Sequence, residues 1–154
     1  MMTDSPYLAT LSVPSRVDSI RPASQFIIQI ARVLGVPAAD QSLFEAAIVE
    51  ALANAFKHGN KQREELPILC EIEHDASHFA VRIFDRGAGF FAPTMPAAEP
   101  DPEAIDAIRE SGYGVAIIRS VFPMVKPVCR RGRFGVELEL ELPADAVATQ
   151  DAAS

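Results

Sequence analysis

Three groups of residues in this chain have the types and spacing that chemistry needs. Glu50, Asn54 and His58 recur at four-residue intervals. In a helix that spacing lines them up along one face. Asn is a poor helix former, because its side chain competes for backbone hydrogen bonds, so Asn54 in mid-helix calls for a reason. An amide oxygen can ligate a hard cation such as Mg²⁺. A carboxylate one turn earlier, Glu50, can take a proton from a hydroxyl held near that cation. A solvated polar face carrying a surface Asn is the plain alternative. The second group is Asp85-Arg-Gly87-Ala-Gly89-Phe90. Glycines let the backbone turn sharply and approach a ligand closely. A carboxylate beside them can accept a hydrogen bond from an exocyclic amine such as that of adenine. An Asp-capped glycine turn would look the same. The third is Ser111-Gly112-Tyr113-Gly114 at the start of a helical pattern. Free N–H groups and the helix dipole make such an end an anion site, although a junction that only needs flexible residues has this composition too.

The elements that must position these groups follow from periodicity. Tyr7 to Val13 alternates apolar and polar residues and predicts a strand. Ser15 and Asp18 are candidate helix-start residues, Pro22 suits a first turn, and Phe26, Ile27, Ile30 and Leu34 carry the helix to a stop at Gly35 and Pro37. Asp40 or Ser42 caps a second helix. Its apolar pairs, Leu43/Phe44, Ala47/Ile48, Ala51/Leu52 and Ala55/Phe56, form one buried stripe that ends at Gly59. Ile68, Cys70 and Ile72, then Phe79, Val81 and Ile83, predict two strands joined by a turn at Asp75 to Ser77. Residues 91–110 lack clear periodicity and hold Pro93, Pro96, Pro100 and Pro102, with Ile105 and Ile108 marking a short helix. A loop this long is functional or disordered. A third helix runs from the Ser111 group to Phe122, and a last hairpin pairs Val125–Cys129 with Phe134–Leu142 around Gly132.

The expected fold is an α/β (α+β) two-layer sandwich, a mixed but mostly antiparallel sheet with helices on one face. Residues 1–143 form one domain and 144–154 a flexible tail. At 154 residues and 49% hydrophobic, the chain can bury a core. The net charge of −7 argues against a nucleic-acid surface. The one cluster of cations, Arg130, Arg131 and Arg133, suits a solvated hairpin turn. No apolar run is long enough for a membrane helix, and Met1 to Thr10 lacks the pattern of a secretory signal. Cys70 and Cys129 lie far apart in apolar stretches and are expected as packed thiols, which fits the cytoplasm.

Taken in order, E-x-x-x-N-x-x-x-H-G, D-x-G-x-G-F, a long lid and G-x-G before a helix resemble the GHKL ATPase superfamily and its Bergerat nucleotide-binding fold. Within it the phrase Val49-Glu-Ala-Leu-Ala-Asn-Ala-Phe-Lys-His-Gly59, the short lid and Ser111-Gly-Tyr-Gly114 look like the bacterial anti-sigma-factor serine kinases. That resemblance implies Glu50 as catalytic base, Asn54 as Mg²⁺ ligand and Asp85 as the adenine contact. It implies Gly87, Gly89 and Phe90 lining the nucleotide, with Arg109, Ser111, Gly112, Tyr113 and Gly114 around the phosphates and His58 completing the helix motif. It further implies ATP and ADP as ligands, a homodimer, and two protein partners, a sigma factor and an anti-sigma-factor antagonist. A non-catalytic nucleotide-gated binding module and a detached histidine-kinase ATPase domain are the competing readings. Two departures stand out. Glu110 occupies the place directly before Ser111 where the family often has Arg, and Gly135-Val136 stands where it often has Gly-Thr.

Overall fold

Alternation along each strand sorts side chains to two sides, and the helices bury one of them. The computed structural model describes residues 6–86 and 115–143. Its strands are β1 (Tyr7–Pro14), β2 (Pro67–His74), β3 (His78–Asp85), β4 (Met124–Arg130) and β5 (Arg133–Glu141). Its helices are α1 (Ile20–Val33), α2 (Gln41–Asn54) and α3, helical over residues 115–121. The sheet order is β1-β2-β3-β5-β4, and each neighbouring pair is antiparallel. The mostly antiparallel sheet expected from sequence is thus antiparallel throughout the described strands, because β5 folds back between β3 and β4. Ile68, Cys70 and Ile72 of β2, Phe79, Val81 and Ile83 of β3, and Val136 and Leu138 of β5 join Ile27, Phe44, Ile48, Leu52, Ile118 and Phe122 in one core. The Phe44 ring lies 5.6 Å from Phe122 and 6.3 Å from Phe79, tying α2 to α3 and to the sheet.

Local chemistry sets the ends of the elements. Asp40 caps α2 by accepting from the backbone N–H of Ser42 at 2.9 Å and Leu43 at 3.1 Å. Gly35, at φ 71°, ends α1 in a Schellman arrangement. Its N–H donates to Arg32 O and the Val36 N–H to Ala31 O, both at 3.0 Å. Asp75 closes the β2–β3 turn by accepting from Ser77 and His78 N–H, and these bonds, Ser77's foremost, hold its carboxyl below the usual range. Neither Ser15 nor Asp18 caps a helix. A 3₁₀ turn (Val17–Ser19) precedes α1, Asp18 pairs with Arg16, and Ser15 is buried in a different network. Only Cys70 is a packed thiol; burial pushes its pKa up to about 12, whereas Cys129 is exposed on edge strand β4. Arg131 and Gly132, at φ 53° and 73°, make the two-residue β4–β5 turn. The left-handed region costs a residue with a Cβ roughly 1–2 kcal/mol. Residues 87–114 and 144–154 lie outside the described residues, and with them the lid, the Ile105/Ile108 helix and the tail. No helix among the described residues is long and apolar enough to cross a membrane.

The sheet face away from the helices is polar. Arg82, buried at the centre of β3, donates to Glu137 Oε2 at 2.6 Å and to Glu73 Oε2 at 2.8 Å, while Lys126 Nζ sits 3.0 Å from Glu137 Oε1. Burial alone would raise the Glu137 pKa, but the bonds from Arg82 and Lys126 outweigh it and hold the group below its ordinary value. A depressed carboxylate stabilises the fold above its unfolded pKa, about 4.3, and that contribution fades as pH falls through the folded value. Glu137→Gln should therefore cost about 1–3 kcal/mol at pH 7, by leaving Arg82 short of a charged acceptor, and less near pH 4. Urea midpoints at the two pH values check this; an equal deficit at both would refute it.

Candidate functional site

The end of α2, the end of β3 and the start of β5 meet at a narrow cleft lined by Ala51, Asn54, Ala55, Ile83, Asp85, Gly135 and Val136. Asn54 is the last residue of α2 and is 5% exposed. Its amide Nδ2 is buried without a hydrogen-bond partner. Such a group ordinarily costs about 1–3 kcal/mol, so an amide held this way in a wall whose other polar group is Asp85 is suited to a ligand. Glu50, one turn earlier on the same helix, is only half-buried. The helix thus grades from a half-buried carboxylate to an amide shut inside the cleft.

Past Asn54 the backbone changes character. Ala55–Gly59 forms a π turn, with Asn60 N–H donating to Ala55 O at 2.8 Å. A π turn takes more residues per revolution than an α-helix. His58 is therefore rotated off the line through Glu50 and Asn54 that uniform four-residue spacing predicts. It sits half-buried in the turn that closes the helix.

Gly59 is what lets that turn reach the sheet. A Cβ added there would lie 2.7 Å from Asp85 Cβ and closer still to the Asp85 carboxylate. Real Cβ atoms do not pack so tightly, so a side chain at 59 would displace Asp85. Asp85 itself is 3% exposed at the end of β3, on the helix-facing side with Ile83. Gly135 plays a similar part across the sheet. A Cβ there would come within 3.0 Å of the Ile83 carbonyl carbon and closer to its oxygen. Val136 is buried against the cleft, so the wall at that point is apolar where a hydroxyl was expected from the resemblance.

Asn60 escaped the sequence reading. It is 1% exposed, and its Nδ2 donates to Ser15 Oγ at 2.7 Å, Leu66 O at 3.0 Å and Pro67 O at 3.1 Å. Its Oδ1 accepts from the Arg86 N–H at 2.8 Å. One side chain thereby ties the π turn to the exit of β1, the entry of β2 and the exit of β3, one residue past Asp85. An Asn after Gly reads as a turn residue, and nothing in the sequence separates a solvated turn from a buried peg. The structure thus brings Glu50, Asn54, His58 and Asp85 into one region. Gly87, Gly89, Phe90, Arg109, Ser111, Gly112, Tyr113 and Gly114 lie outside the described residues.

Asn60→Ala should cost about 1–3 kcal/mol, since it removes the acceptor of the Arg86 N–H and the donor to Pro67 O and Ser15 Oγ around a buried site, Leu66 O keeping the Ser15 hydroxyl. A urea titration checks it, and an unchanged midpoint would show that the peg is dispensable.

A family model described as the histidine kinase-like ATPase domain matches residues 13–140, from the end of β1 almost to the end of β5. Comparison with curated proteins gives no match. With 128 consecutive residues spanned by that match, every described element of the cleft included, the chain belongs to the histidine kinase-like ATPase domain family.

Proposed function

We propose that this ATP-binding domain is a protein serine kinase that also acts as an anti-sigma factor. The family membership supports nucleotide binding. The observation that carries the reading further is the buried, unpartnered amide of Asn54 one helical turn from the half-exposed carboxylate of Glu50. A half-buried carboxylate one turn from that amide suits a general base, which a domain that only bound nucleotide would not need.

The residues fit the proposed roles. Asn54 offers its amide oxygen to Mg²⁺, and Asp85, held by Gly59 and fixed through Asn60 and Arg86, offers a buried carboxylate to the adenine amine. A Mg²⁺ ion held there would supply neutralisation of the phosphate charge. Glu50 takes the proton from a partner's Ser hydroxyl. The Ser oxygen then forms its bond to the terminal phosphorus of ATP as the bond to the ADP oxygen breaks. Gly87, Gly89 and Phe90 would border the nucleotide, and Arg109, Ser111, Gly112, Tyr113 and Gly114 would hold its phosphates. His58, in the π turn, is assigned to holding the helix end. The phosphorylated partner would be an anti-sigma-factor antagonist, and the added phosphate, carrying about −1.5 to −2 charges, would weaken its hold on an acidic chain and free the protein, as a homodimer, for the sigma factor.

Apolar Val136 in the cleft wall favours a second reading, a nucleotide-gated binding module without catalysis. Glu50→Gln separates the two. It preserves shape and removes the base, so calorimetry should show unchanged ATP affinity, while phosphate transfer to a co-purifying Ser-bearing partner falls roughly 10²–10⁴-fold. Asp85→Asn should weaken adenine nucleotides specifically, because one acceptor becomes a donor. Transfer at the wild-type rate by Glu50→Gln would remove Glu50 from the mechanism, and equal affinity for ATP and GTP would remove Asp85 from base recognition.

A further inference from the structure

Leu69 of β2 and Phe84 of β3 are register partners and share the sheet face that the helices leave open. Above them the exit of β3 and the β4–β5 turn gather Arg86, Arg130, Arg131 and Arg133 around a cavity of about 480 Å³. Phe84 is only 2% exposed although it stands outside the helix-side core. Arg130 holds its guanidinium 5.8 Å from the ring centroid and donates to Glu71 at 3.0 Å. Arg86, Arg131 and Arg133 make no side-chain ion pair among the described residues. Three cations with no ion pair among the described residues thus converge in a chain whose net charge is −7. Arg131 also occupies a left-handed turn position at φ 53°, where Asn, Asp or Gly is the ordinary choice.

We propose that this cavity is a docking site for a short acidic segment of a partner protein, whose carboxylates meet the guanidinium groups while an apolar side chain rests on half-buried Leu69, beside the Arg130 side chain that covers Phe84. Arg presents a planar fork that matches a carboxylate in bidentate fashion. The apolar floor would be wasted on a free inorganic anion. The acidic side chains that follow on the same face, Glu71 in the cavity wall and then Glu73 and Glu137 around Arg82, repel a long polyanion such as nucleic acid and confine the ligand to a few residues. The site lies on the opposite side of the sheet from the nucleotide cleft, and its occupancy does not depend on the kinase reading.

The test uses the full chain and a fluorescent peptide of alternating Glu and Phe, with a Gln-for-Glu version as counterpart. Fluorescence anisotropy should show binding of the Glu peptide that weakens with added salt, and none of the Gln peptide. The double reversal R131E/R133E removes two cations that have no described partner to lose, so the fold should survive, and affinity should drop about tenfold or more. The charge-matched control R21E/R32E on exposed α1 positions should change it by less than about twofold. R131N gives an independent readout with opposite signs: a higher urea midpoint, because Asn tolerates the turn, and weaker peptide binding. Wild-type affinity in R131E/R133E, an equal loss in the control, equal binding of the Gln peptide, or displacement of the peptide as readily by single-stranded DNA or inorganic phosphate at the same charge concentration would each overturn the proposal.

Discussion

The candidate site rests on one close approach: the turn that ends α2 is pressed against the end of β3. Gly59 has no Cβ because the Asp85 side chain occupies that space. Asn60, the next residue, spends its whole hydrogen-bonding capacity on holding the contact, with donors to the β1 and β2 ends and an acceptor for the Arg86 N–H. A buried amide whose hydrogen bonds are satisfied rigidifies the elements it joins. The consequence is a rigid corner at which an Asn from a helix and an Asp from a strand face the same cleft. The π turn belongs to this arrangement. It widens the last turn of the helix so that Gly59 and Asn60 reach the sheet while Asn54 stays inside.

The same five strands serve two kinds of surface. On the helix side, alternate residues of β2, β3 and β5 make an unbroken apolar layer. On the other side the alternate positions carry Glu71, Glu73, Arg82, Lys126 and Glu137, paired across strands at 2.6–3.7 Å. Ionic pairs at a partly solvated surface add little net energy, but an arginine buried among several carboxylates penalises any register that separates them. At one end of this face the pairing gives out and the Arg cluster takes over, directly behind the corner that holds Asp85. Arg86 belongs to both regions, since its backbone is bound by Asn60 and its side chain lines the outer cavity.

Membership in the histidine kinase-like ATPase family supports nucleotide binding, and under the proposed function the corner would give the base a buried acceptor and the phosphates a nearby ligand. Membership does not by itself account for the grading along α2. There Glu50 is half-buried, and under the proposed function it would be the group that meets a partner's hydroxyl, which favours transfer over binding alone. Val136 makes one wall apolar and leaves Asn54 and Asp85 as the polar groups of the described lining.

Local rules in the sequence determined most of the architecture. The alternation in β2 and β3, the Asp40 cap, the Gly35 stop and the apolar stripe of α2 each depend on neighbours a few residues away, so composition and spacing alone located them. Sequence also singled out Glu50, Asn54 and Asp85, because a helix-poor Asn inside a helical pattern and an Asp before glycines are locally anomalous. Tertiary structure decided the rest. That Gly59 is spared a side chain on account of Asp85, that Asn60 is a buried peg rather than a turn residue, and that Arg86 joins the three arginines of the hairpin are all contacts between segments distant in the chain. No periodicity records them. The same holds for His58, whose shift off the helix line comes from a π turn stabilised by the packing of its end. Spacing shows which residues can share a face, while burial and the pairing of distant strands decide which of them share a site.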